Sequence, residues 1–98
     1  MATLFISVFA DATTTLLDKP IQQMTIAVGA GSLQSSAITG TGKFKKLVRL
    51  FTDTDCFVEW GENPTALTDG SAGMPLGAEN PEIVGVRAGD IIAVIERA

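Results

Sequence analysis

The chain has no histidine and no tyrosine, one cysteine (Cys56) and one tryptophan (Trp60). Without histidine the commonest general base near neutral pH is missing, and neither a Ser-His-Asp nor a Cys-His arrangement can be assembled. A single cysteine excludes an intrachain disulfide, so nothing suggests secretion. Charge is also scarce: seven Lys and Arg stand against eleven Asp and Glu, and charged residues total 18%. The net charge of −4 disfavours a phosphate-binding face, and no nucleic-acid partner is expected. The basic run Lys43, Lys45, Lys46 and Arg49 reads as a solvated strand entry. No apolar run reaches membrane-spanning length, so no membrane partner is expected. The N-terminal stretch "MATLFISVFADATTT" lacks a basic start and is interrupted at Thr3 and Ser7. It reads as a strand of the mature protein rather than a signal peptide.

What is present is strand pattern throughout. Residues 3–10 alternate Leu4, Ile6 and Val8 against Thr3, Phe5, Ser7 and Phe9, with apolar residues on both faces. Residues 20–29 place Met24, Ile26 and Val28 together; 33–39 is weaker and more polar, as an edge strand would be. Residues 45–53 set Val48 and Leu50 against Leu47, Arg49 and Phe51, and 55–61 set Cys56, Val58 and Trp60 against Asp55, Phe57 and Glu59. Strands follow at 81–87 and 90–96, the last near-continuously apolar and therefore central in its sheet. Gly29, Gly31, Gly40 and Gly42, Asn63-Pro64 and Asn80-Pro81 mark turns, and "RAGD" (87–90) is expected to make a hairpin between the last two strands. The one helix candidate, 11–19, is weakened by three consecutive threonines. Seven or eight short strands at this spacing, in one domain spanning 1–98, indicate a β-sandwich or a small barrel, and of these we expect the all-β, antiparallel, jelly-roll-like β-sandwich. Its core is expected to hold Met24, Ile26, Val28, Val48, Leu50, Cys56, Val58, Trp60 and Ile92 or its neighbours.

Tests for chemistry come out against catalysis. Cys56, in phase with Val58 and Trp60, reads as a small core residue, and its acidic neighbours would not stabilise a thiolate. "GTGK" (40–43) has Ala37 and Phe44 where a phosphate loop needs Gly and Ser or Thr. Asp53, Asp55, Glu59, Glu62 and Asp69 are hard oxygen ligands that could hold calcium, but they lack a glycine-hinged loop and read first as solvated carboxylates. No catalytic, cofactor-binding or metal-binding residue is assigned, and no cofactor is expected.

The stretch "CFVEWGENPTAL" (56–67), the small-residue loop "TDGSAGMPLGAE" and the closing "VGVRAGDIIAVIE" resemble a family of small all-β virion proteins of tailed bacteriophages, the head decoration or cement proteins. The resemblance covers about residues 45–96. It rests on Gly61 to Ala66, Met74-Pro75-Leu76-Gly77, Gly89-Asp90 and Ile92-Ala93-Val94-Ile95. It implies a non-enzymatic protein on the capsid surface of a virion, made in the host cytoplasm, with the major capsid protein as partner. Phe5, Phe9, Phe51 and Phe57 lie opposite the expected core stripes and suit such a contact, unless some of them line the same core. Self-association as a dimer or trimer is expected, through strand 3–9 and the loop 66–80. The alternative is a receptor- or glycan-binding module of a phage tail, fibre or baseplate. Burial of Trp60, the only tryptophan, would leave that alternative without an aromatic platform.

Overall fold

A computed structural model describes residues 2–9, 21–39, 46–67 and 73–97. The helix considered at 11–19, the stretch 40–43, Lys45 and Asp69 lie outside the described residues. Eight strands run in chain order: β1 (Thr3–Phe9), β2 (Gln22–Ala27), β3 (Leu33–Gln34), β4 (Lys46–Thr52), β5 (Cys56–Gly61), β6 (Met74–Leu76), β7 (Glu82–Val86) and β8 (Ile91–Glu96). They form two four-stranded antiparallel sheets, ordered β2-β1-β4-β7 and β3-β8-β5-β6. The protein is an antiparallel β-sandwich, as the alternation implied. Only β1–β2 and β5–β6 are neighbours both in sequence and in a sheet; every other connection crosses between the layers.

Period-two alternation decides which face each strand buries. From the first sheet Leu4, Ile6, Val8, Ile26, Val48, Leu50 and Val86 point inward, and from the second Cys56, Val58, Leu76, Ile92 and Val94 meet them in one cluster. The sandwich is therefore filled by the stripes read from the sequence, with two exceptions. Met24 and Trp60 are only partly buried and pack at the margin of the cluster.

Three local expectations need correction. The turn at 87–90 exists, with the Asp90 N–H donating to the Arg87 carbonyl at 3.1 Å, but it is no hairpin, because β7 pairs with β4 and β8 with β5. Gly89 takes a φ of 91° at the third position, the pattern of a type II turn, which splays the flanking strands instead of pairing them. The segment 33–39 keeps only Leu33–Gln34 as an edge strand, although Ile38 still reaches the core. Met74-Pro75-Leu76, read as loop, is the edge strand β6; an edge position tolerates a residue with no N–H to donate.

β8 is central, as its apolar run implied, and is covered on both sides. Ile92 and Val94 face the main core, while Ala93 and Ile95 form a second cluster with Ala66 and Phe57 on the outside of the sheet. The chain after β5 lies back over that outer face. Gln34 Nε2 donates to the Pro64 carbonyl at 2.8 Å and to Asn63 Oδ1 at 3.0 Å, and Ser32 Oγ accepts from Ala66 N at 3.1 Å. Pro64 and Ala66 are buried as a result. The rigid turn directly after Trp60 thus folds the following segment into a lid over β8.

Candidate interaction surfaces

The two sheets differ in what covers their outer faces. Outside β5 and β8, Phe57 and Ile95 lie beneath the 62–67 segment, and the Arg97 guanidinium sits 5.8 Å from the Phe57 ring centroid. Phe57 is thus not spare: it packs the second cluster. Outside β1 and β4, no described segment lies across the sheet, and apolar side chains face outward.

Strand register orders that bare face into rows. One row runs Thr25, Phe5, Phe51, the next Gln23, Ser7, Arg49, Ile83, and the third continues from Phe9 to Leu47 and Gly85. Phe5 is 44% exposed and Ile83 56% exposed, whereas Phe9, Leu47 and Phe51 are half-buried by their neighbours. Arg49 is the single charge among these positions, and its guanidinium lies 5.9 Å from the Phe51 ring centroid. Beside Phe5, a shallow cavity of about 230 Å3 is bounded by Gln23, Met24 and Thr25. Neither Phe5 nor Phe51 lines the main core.

β1 is therefore apolar on both faces, but only one is available for a partner. Leu4, Ile6 and Val8 are fully buried, and both edges of the strand are paired, to β2 and β4. The N-terminal strand cannot act as a detachable arm; it contributes Phe5 and Phe9 from the middle of a sheet. Of the loop 66–80, Ala66 is buried and Leu67 exposed, and its C-terminal part is strand β6 and the 77–80 turn.

The second feature is a cleft of about 440 Å3 at one end of the sandwich, lined by Trp60, Gly61, Glu62, Gly85, Arg87, Ala88 and Asp90. Trp60 ends the inward stripe of β5 opposite Ile92 and is half-buried, not the core residue expected. Trp60 is the penultimate residue of β5, and there its side chain lines the cleft instead of the centre of the core. The 87–90 turn on the far side is held by two backbone bonds with Ile38, each 2.8 Å.

Among the described residues, Asp53, Asp55 and Glu59 each hold a separate stretch of backbone. Asp53 Oδ1 accepts from the Thr3 N–H at 2.8 Å, Asp55 Oδ1 from the Ala78 N–H at 2.9 Å, and Glu59 Oε1 from the Trp60 N–H at 3.1 Å. Asp55 also lies 3.5 Å from the Arg97 guanidinium. Each tethers a different piece of backbone, and among the described residues no group of three or more ligand side chains gathers. Cys56 is fully buried. Burial pushes its thiol above the ordinary value of 9.0; the Thr52 hydroxyl and Arg97 oppose this, and Asp55 adds to it. Such a thiol is not a nucleophile at neutral pH.

Among the described residues no helix is long and apolar enough to cross a membrane. No known protein family, no curated protein and no solved structure matches the chain.

Proposed function

We propose that this protein is a non-enzymatic virion component that decorates and stabilises a bacteriophage capsid, docking on the major capsid protein through the outer face of the β2-β1-β4-β7 sheet. The observation that carries the reading is the asymmetry between the two outer faces. One sheet has its own lid, and the other presents Phe5, Phe9, Leu47, Phe51 and Ile83 with nothing described across it. The resemblance at residues 45–96 supplies the class of partner.

Size argues for several protomers acting together. Four strands about 4.8 Å apart and about six residues long give a face of roughly 300–400 Å2. A stable protein–protein contact takes about 800 Å2 from each partner, so one protomer would hold weakly. A closed dimer or trimer multiplies the attachment without new contacts. With Arg49 the one charge among the described positions of these rows, attachment rests on apolar burial and should persist at high salt.

The test is the copy number in purified particles, together with binding of the isolated protein to bare shells. Copies in step with the coat protein, and binding retained in high salt, support the reading. A few copies confined to tails, or release from shells by salt alone, overturn it.

A further inference from the structure

The cleft at Trp60 lies between the ends of β5 and β7 and shares no residue with the apolar rows except Gly85. Its volume of about 440 Å3 falls within the roughly 300–1,000 Å3 of small-molecule sites. Among the described residues the side chains of Glu62, Arg87 and Asp90 engage no partner. The indole N–H of Trp60 also has no partner, yet among the described residues no side-chain nitrogen or oxygen is both buried and unpaired. The N–H is therefore in contact with solvent while the rest of the ring packs against the core.

We propose that this cleft binds a neutral saccharide, a function separate from capsid docking. Its polar lining mixes donors, the Arg87 guanidinium and the indole N–H, with acceptors, the Glu62 and Asp90 carboxylates. An anionic ligand would meet two carboxylates, and a cationic one would meet Arg87; either pays for a like charge. A polyhydroxylated ring pays neither cost, because each hydroxyl donates to a carboxylate and accepts from a cation or indole N–H. Its carbon-bound faces need an apolar surface, which the part of the partly buried Trp60 indole that lines the cleft offers. The two Ile38 bonds hold the turn that carries Arg87 and Asp90, so little ordering cost falls on binding.

Trp60 is the only tryptophan, so intrinsic emission reports on this cleft alone. Glucose, galactose, N-acetylglucosamine and their disaccharides are the probes, with inorganic phosphate and tetramethylammonium as charged controls. The expected result is a saturable blue shift and reduced acrylamide quenching with at least one sugar, and with neither control. Arg87→Ala and Asp90→Ala, whose circular dichroism should match wild type, should each weaken binding about tenfold or more. The inference is overturned if no sugar gives a saturable change in emission or ligand-observed saturation transfer. It is also overturned if a charged control binds in preference, or if both variants bind as wild type. Neither variant touches the Phe5 and Phe51 face, so shell binding should be unchanged, and the two proposals can fail separately.

Discussion

Phe5 and Phe51 sit directly opposite one another on β1 and β4, with ring centroids 6.2 Å apart and planes tilted by 48°, on the solvent side of the sheet. A cross-strand aromatic pair of this kind stabilises its sheet by about 0.5–1.5 kcal/mol beyond area burial. The same two rings belong to the bare apolar face. Phe5→Ser with Phe51→Ser should therefore lower stability by about 2–3 kcal/mol, the pair contribution together with the partial burial of both rings, read by urea denaturation. In the proposed docking role it should also weaken attachment, by more than about tenfold in binding to bare shells, as central aromatic contacts dominate interfaces. A folded double variant that binds shells as wild type does would remove this face from the contact.

Trp60 is half-buried at the mouth of the sandwich. Truncation of a fully buried aromatic costs about 3–5 kcal/mol. Trp60→Ala should cost less, about 2 kcal/mol, because part of the ring already meets water. Chemical denaturation checks this, and a loss above that range would mean that the indole fills core volume after all.

Gly73 precedes β6 with a φ of 131°, and a Cβ added there would lie 3.0 Å from the Phe57 Cβ. Strain and clash act together, and the neighbour is a side-chain root that cannot swing away. Gly73→Ala should destabilise by about 2 kcal/mol. Because β6 pairs only with β5, hydrogen exchange should show the loss first as opening of β6.

Glu79 is the one described non-glycine residue with positive φ, at 61°. Its N–H donates to the Thr52 carbonyl at 2.7 Å, so the backbone holds the strained angle in place. Glu79→Gly removes the Cβ conflict at the cost of a looser unfolded chain. A net gain of about 0.5 kcal/mol is expected in thermal or urea unfolding.

Cys56 couples stability to alkaline pH. Its folded thiol titrates above 9.0, so the buried neutral form contributes its full stabilisation below the unfolded value. That contribution is lost as pH rises through the folded value, since the unfolded thiol ionises first. Wild type should lose stability more steeply than Cys56→Ala above about pH 9. With no tyrosine in the chain, the difference between the two profiles isolates the thiol. A thiol reagent should label Cys56 only at the rate of unfolding.

Inward and outward stripes were legible in β1, β4 and β5 because alternation is a local property and a one-residue slip would turn every side chain over. The central place of β8 was equally legible, since an unbroken apolar run needs cover on both sides. β6 was hidden because three residues containing Pro75 carry no period; pairing to β5 alone makes them a strand. The sequence around Arg87–Asp90 announced a turn but not whether its strands would pair, and only the positive φ at Gly89 and the partners of β7 and β8 decided that. The partial burial of Trp60 depended on the 87–90 turn and Gly85, with which it lines a cleft instead of a closed core. Which outer face is covered depended on hydrogen bonds that Gln34 donates to, and Ser32 accepts from, residues about thirty positions away. Local sequence settles which side of a strand is apolar; only the packing of distant segments settles whether that side is roofed or left open.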